Sequence, residues 1–393
     1  LGFARLLFMY ILMIREKRRE KQRTYPQLDK TNAAKVSIIV PAYNEEVNVV
    51  RTLENLKMQD YPNFDIVFVD DGSKDNTLKR VQEAFADDPN IVILTKQNAG
   101  KASALNYGIA HTTAEYVVCI DADTQLRKNA VTLLMRHYLT DTEGKIGAVA
   151  GNVKVGNQRN MLTRWQAIEY TTSQNFDRMA YASINAITVV PGAIGAFRKK
   201  AIEDAGGFNT DTLAEDCDLT MGILEKDYVI ENENAAIAMT EAPESLRQFV
   251  KQRTRWTFGV MQTFWKHRAA LFSKKHKGFG LWAMPNMLIF QYIIPTFSPL
   301  ADLMMLFGLF MGNGWQIFIY YLLFLLVDGS VSIMAYIVEK EPLWVLLWII
   351  PQRFFYRWVM YYVIFKSYMK AIKGELQSWG VLKRTGNVTI ANK

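Results

Sequence analysis

The sequence predicts a mostly parallel α/β sheet followed by a helical membrane region, and three observations carry that prediction. Short β-branched runs alternate with helix-patterned stretches through the first third of the chain, and a polar cluster closes most of those runs. Beyond residue 280, the tracts 281–312, 315–338 and 343–365 are almost uncharged. Each is near or above the roughly 20 residues that cross a bilayer as helix.

Taken in order, the opening LGFARLLFMYILMI, residues 1–14, reads as part of a transmembrane helix begun upstream, because no small-residue cleavage site follows it. REKRREKQR and the polar TYPQLDKTNAA make residues 15–34 a basic linker. VSIIV (36–40), DIVFV (65–69), IVIL (91–94) and YVVCI (116–120) are strand runs. Between them lie a stretch carrying Val49, Leu53 and Leu56, a helix pattern from Asn76 and another from about Lys101. Such alternation implies right-handed crossovers and a sheet covered on both faces.

From 145 to 240 the pattern loosens, with strand candidates IGAVAG and AITVVPGAIGAF around a helix near 160–180. Residues 246–272 place Phe249, Trp256, Val260 and Phe264 on one stripe with basic residues elsewhere, which fits a helix on the membrane surface. An ordinary amphipathic packing helix has the same pattern.

The chain has 393 residues and 46 Lys+Arg against 38 Asp+Glu, a net charge of +8. Its mean hydropathy of −0.02 averages a polar domain with the apolar tracts. Two cysteines, Cys119 and Cys217, exclude a disulfide framework and a four-sulfur zinc site. The four histidines show no ligand spacing. The basic residues flank apolar tracts instead of forming an RNA-binding motif, so the lipid bilayer is the expected anionic partner and nucleic acid is not.

In a parallel sheet, ligands bind outside the carboxyl ends of the strands. The polar residues there are PAYNEE after the first run, DDGSKD after the second, NAGKA before a helix and DAD after the fourth. Asp121 and Asp123, two residues apart, are hard oxygen ligands suited to Mg²⁺ or Mn²⁺ that keeps positions for phosphate oxygens. Further on stand LAEDCD, with Asp216, and QRTRW, from Gln252 to Trp256. Structurally, these are a helix N-terminal turn and an interfacial anchor. Chemically, a carboxylate can take a proton from a hydroxyl, an arginine can hold a diphosphate and an indole can stack on a sugar. Residue chemistry alone leaves both readings open.

PAYNE, DDGSKDNT, NAGK, DAD, AED and QRTRW, in that order over residues 36–256 and ahead of apolar tracts, resemble the processive, membrane-embedded family 2 glycosyltransferases. That group includes cellulose, chitin, hyaluronan and poly-N-acetylglucosamine synthases. The resemblance implies a GT-A catalytic domain over 35–245, a QxxRW and interfacial segment over 246–280, transmembrane helices over 281–365 and a basic tail over 366–393. It implies inverting transfer from a UDP-sugar to a growing glycan acceptor, coupled to export. Tyr43, Glu45, Asp71, Lys101 and Asp121 are then expected at the donor nucleotide and Asp121 and Asp123 at Mg²⁺ or Mn²⁺. Asp216 is expected as the general base, and Gln252, Arg255 and Trp256 at the diphosphate and acceptor. One departure is Ala214, where the family often has Thr before the ED pair.

The segment VVPGAIGAFRKKAIEDAGGF with LAEDCDLT resembles the bacterial poly-β-1,6-N-acetylglucosamine synthases most, which implies UDP-N-acetylglucosamine as donor. Chitin-type or hyaluronan-type synthesis, a glycolipid transferase and an inactive scaffold subunit are the alternatives. The four carboxylates Asp71, Asp121, Asp123 and Asp216 argue against the last. An accessory membrane subunit and a multi-pass place in a bacterial inner membrane, with the catalytic domain cytoplasmic, complete the expectation. Three crossings leave the tail outside, whereas Lys366, Lys370, Lys373, Lys383 and Arg384 favour the inside. Arg353 and Arg357, inside the last tract, face either a polar cavity or the headgroups.

Overall fold

The computed structural model describes residues 2–29, 31–373, 386 and 388. Its strands are β1 Val36–Ala42, β2 Phe64–Asp70, β3 Ile91–Thr95, β4 Tyr116–Cys119, β5 Gln125–Leu126, β6 Ile146–Val155, β7 Gly195–Arg198 and β8 Val229–Thr240. They form one sheet in the order β3-β2-β1-β4-β7-β6-β8-β5. β3, β2, β1 and β4 are parallel, whereas β7 runs antiparallel to both β4 and β6. The chain winds outward from β1 to β3 and then returns to add β4 on β1's other side. That reversal opens a crevice at the carboxyl ends of β1 and β4.

The helices around the sheet are α1 Gly2–Gln22, α2 Val49–Lys57, α3 Thr77–Phe85, α4 Lys101–Ala110, α5 Ala130–Leu139, α6 Met161–Glu169, α7 Phe176–Ala182, α8 Lys199–Asp204, α9 Glu215–Glu225 and α10 Leu246–Lys266. Alternate strand residues feed two cores. Ile38, Val40, Ile66 and Phe68 meet α2, α3 and α5 on one face. Ile39, Val67 and Val69 meet α1, α4, α7 and α9 on the other. Both faces are covered, which is why the runs read as continuously apolar.

Several expectations are revised. α1 is one helix through Gln22, so residues 15–22 of the expected linker are helical. Arg19 and Arg23 of this stretch hold Glu231 at 2.5 and 2.7 Å. Of AITVVPGAIGAF only the end is strand, in β7, and residues 186–191 form a loop. β8 was not expected because VIENEN reads as polar. Glu231 and Glu233 are nevertheless buried there, with arginine and histidine partners, which makes their burial tolerable.

α10 is packed on one side and open on another, where Leu246 and Trp265 are exposed. Phe249, Gln252, Arg253 and Thr254 are buried, and Phe249 packs on Tyr356 of the last helix. Protein packing therefore covers one side of α10, an arrangement open to a helix at a membrane surface as well.

Beyond α10, Phe279–Phe310 is the one helix among the described residues long and apolar enough to cross a membrane. Two π-helical stretches, Phe279–Ala283 and Met287–Ile293, interrupt its α-helical run. Gly314–Glu339 and Ile349–Lys373 follow. Leu303, Phe307 and Phe310 on the first and Trp315, Tyr320 and Leu323 on the second face outward, the reverse of a water-soluble core. α1 adds Phe3, Leu7, Ile11 and Ile14 as an exposed stripe. Arg357 pairs with Asp302 at 2.8 Å, so its charge is met inside the helical region. The Arg353 side chain, Lys383 and Arg384 lie outside the described residues.

Candidate active site

The loops after β1 and β2 are stitched together. The Asn44 amide donates to Ser73 Oγ (3.0 Å), Asn44 Oδ1 accepts from the Lys74 amide (2.8 Å), and the Glu45 amide donates to Thr77 Oγ1 (2.8 Å). This fixes Tyr43 and Glu45 in the lining of a cavity of about 810 Å³, a size suited to a nucleotide-sized ligand.

Asp71 is the exception among the expected site residues. It is 2% exposed and does not line the cavity. Its carboxylate accepts from the Ala99 amide at 3.1 Å, the Gly100 amide at 2.8 Å and Lys96 Nζ at 2.8 Å. Asp71 thus holds the NAGK turn, and through it the start of α4, where Lys101 sits.

Tyr43, Glu45, Lys101, Asp121, Asp123, Asp216, Gln252, Arg255 and Trp256 all line the one cavity. Lys101 Nζ bridges Asp121 Oδ1 at 2.6 Å and Glu215 Oε1 at 3.0 Å. Burial works against this ammonium, but the surrounding carboxylates outweigh it and hold its pKa above the ordinary lysine value. Asp121 keeps 32% of its side chain exposed to the cavity.

Asp216 opens α9. The Cys217 amide donates to its Oδ1 at 2.8 Å and the Gly192 amide to its Oδ2 at 3.3 Å. Burial first, and then the neighbouring Glu215 charge, push its carboxyl up to about 6. It is therefore ionised at neutral pH and basic enough to accept a proton there.

Two glycines allow the elements to close on this point. A Cβ at Gly259 of α10 would lie 2.7 Å from the Ala214 amide nitrogen and 3.0 Å from the Ala214 Cβ. Ala214 and Gly259 are therefore a small-on-small contact that brings the QRTRW helix against the loop ahead of Asp216. This gives the Ala-for-Thr departure a packing context. A Cβ at Gly192 would lie 2.5 Å from Lys101 Nζ.

Sequence reasoning missed Glu215 as Lys101's partner, the Pro191–Gly192 turn, and Glu169, Arg178 and Arg253, which also line the cavity. PGAIG was visible as a motif, but nothing in it told its destination. The cavity continues to Tyr292, Arg357 and Tyr361 on the apolar helices, so it joins the sheet edge to that helical region.

Among the described residues, no group of three or more His, Cys, Asp or Glu side chains gathers as a metal site. Asp121 and Asp123 offer two carboxylates. That donor set fits a Mg²⁺ or Mn²⁺ ion that takes its other ligands from phosphate oxygens and water.

Residues 37–206, less than half of the chain, match the family model for glycosyl transferase family 2. A poly-β-1,6-N-acetyl-D-glucosamine synthase of Staphylococcus epidermidis is 32% identical over 234 residues, 58% of this chain and 56% of the relative. The synthase of that name from Staphylococcus aureus strain COL is 29% identical over 269 residues, 68% of this chain and 63% of the relative. The chain thus spans less than two thirds of the length of these curated relatives. The solved mannosyltransferase PcManGT from Pyrobaculum calidifontis, in complex with GDP-Man and Mn2+, matches with a TM-score of 0.59 at 21% identity. The match covers 86% of this chain and 96% of that one, a likeness of fold. Residues 37–206 thus resemble glycosyl transferase family 2 in sequence, and the fold around them is like that of a solved mannosyltransferase.

Proposed function

We propose that this chain transfers a sugar from a nucleoside diphosphate donor to a growing polysaccharide at a membrane face, with inversion and without releasing the chain between additions. N-acetylglucosamine from UDP-N-acetylglucosamine is the favoured donor sugar, supported by the names of the staphylococcal relatives. The observation that carries the reading is the convergence of Lys101, Asp121 and Asp216 with Gln252, Arg255 and Trp256 around one cavity that runs on to the apolar helices.

In this reading Tyr43 and Glu45 hold the nucleoside. Lys101 and Arg255 face the diphosphate and offset the negative charge that grows on it as it leaves. Asp121 and Asp123 would hold Mg²⁺ or Mn²⁺, which adds Lewis-acid stabilisation of the same leaving group. Asp216 takes the proton of the acceptor hydroxyl. The acceptor oxygen then bonds to the anomeric carbon from the face opposite the diphosphate, the carbon–oxygen bond to the diphosphate breaks, and UDP departs. Trp256 stacks on the terminal sugar of the acceptor. Asp71 acts at one remove, by holding the turn that delivers Lys101.

Purified protein in lipid, incubated with a panel of UDP-sugars and Mg²⁺ or Mn²⁺, tests this by UDP release and product length on a gel. UDP release with a ladder of long products from UDP-N-acetylglucosamine is expected. Products one sugar long would overturn processivity, and no UDP release from any donor would overturn the enzyme reading.

A further inference from the structure

The QRTRW helix carries a second arginine, Arg253, whose surroundings are unlike those of Arg255. Arg253 is 4% exposed, and its two terminal nitrogens donate to the two oxygens of Glu169, each at 2.8 Å. Its guanidinium carbon, Cζ, lies 4.6 Å from the Trp256 ring centroid, with the Phe249 centroid at 5.1 Å and that of Tyr170 at 5.9 Å. Glu169 also accepts from the Tyr356 hydroxyl on the last helix. Tyr356 is packed in turn on Phe249 at 5.1 Å and Trp165 at 6.3 Å.

Three elements therefore meet here. α6 ends at Glu169 and passes into the π-helical stretch Tyr170–Asn175, α10 supplies Arg253 and Trp256, and Ile349–Lys373 supplies Tyr356. A guanidinium can donate along its edges while aromatic rings cover its faces, which an ammonium cannot do. Both uses are made of Arg253. Its edge is clamped by Glu169, and its face is the shelf against which the indole rests.

We propose that Glu169, Arg253 and Tyr356 are positioning residues for Trp256, setting the indole's angle in the cavity and tying it to the last apolar helix. The proposal rests on the reading of Trp256 as the acceptor platform. A displacement of the last helix would reach the acceptor through Tyr356 and Glu169, whereas Asp121 and Lys101 have no share in this cluster. The unit therefore acts mainly on how the acceptor is held and reaches the donor side only through Arg255 on the same helix.

The test uses Glu169→Gln, Arg253→Lys and Tyr356→Phe in the full chain in lipid, with two readouts. In the first, product length is compared with the donor KM. R253K and E169Q are expected to shorten products about tenfold, and Y356F less, as the loss of a desolvated cation–π and ion-pair contact implies. Donor KM should rise by a smaller factor than product length falls, because Lys101 and Asp121 lie outside the cluster and only Arg255 and Gln252 share its helix. Product length unchanged in both R253K and E169Q, or donor KM rising in step with a lost thermal transition, would overturn the proposal in favour of mere structural support.

The second readout needs no turnover. In 5-fluorotryptophan-labelled protein, the Trp256 resonance is assigned by the Trp256→Phe variant. It should move in R253K and E169Q, and a resonance that stays in place overturns the proposal. If the parent chain makes no polymer the functional reading fails, and the fluorine resonance still decides the positioning.

Discussion

Asp71 at the end of β2 and Asp216 at the start of α9 are both carboxylates expected at the site, yet their surroundings differ. Asp71 is sealed in, with the amides of Ala99 and Gly100 and the Lys96 ammonium around it. Asp216 receives two amides but lies on the cavity wall, with its carboxyl pushed up to about 6 by burial and by Glu215. The fold uses the first carboxylate to shape a turn and leaves the second where a substrate hydroxyl can reach it. Residue type and strand-end position are therefore not enough to make a catalytic residue; access to the cavity separates the two.

Asp216→Asn is the largest expected break in this comparison. Transfer should fall by about 10²–10⁴, the usual share of a general base, while UDP binding by calorimetry and thermal stability hold. In the parent enzyme, transfer should decline as pH falls through about 6, because protonation removes the base. A pH profile with no acid limb near that value would contradict the assignment.

Asp71→Ala should do the opposite. Removing the buried carboxylate takes the acceptor from the amides of Ala99 and Gly100, while Lys96 keeps the Gln97 carbonyl, a loss of about 1–3 kcal/mol. Denaturant unfolding should register it directly, with donor KM rising because Lys101 loses its mooring. An Asp71→Ala chain of ordinary stability would mean the turn holds itself.

Gly259→Ala tests whether α10 and the Asp216 loop need their close approach. Its Cβ would press on Ala214 backbone, at an overpacking cost of about 1–3 kcal/mol. Transfer should fall more than UDP binding, as read from kcat and from donor affinity.

The smallest effect concerns the far side of α9. His267 bridges Asp218 at 3.1 Å and Glu225 at 3.1 Å. Burial opposes its charge, but these partners outweigh it and raise its pKa to about 9. The stabilisation is full below the unfolded value of about 6.5 and is lost as pH rises through about 9. The melting midpoint should drop over that window, and His267→Gln should flatten the drop.

Much of the parallel half of the sheet was legible, because each strand there is an apolar run followed by a polar turn. β1 to β4 and α2 to α4 appear where the pattern put them. β8 was hidden because its buried glutamates look like loop residues until Arg19, Arg23, Arg136 and His137 arrive from elsewhere. The loop 186–191 was mistaken for strand because apolar β-branched residues also line turns that pack under a site. For α10 the amphipathic stripe shows that one side is packed, and does not say whether lipid or protein meets the other.

The sequence by itself determined the sheet class, the apolar tracts and nine of the residues around the cavity, because these depend on local pattern and on motifs carried whole in short stretches. Only the tertiary structure decided that Asp71 is consumed by a turn, that Glu215 shares Lys101, and that Arg253 braces Trp256 against Glu169 and Tyr356. Those roles depend on partners up to 187 residues apart. Spacing along the chain carries no record of which groups will be buried together.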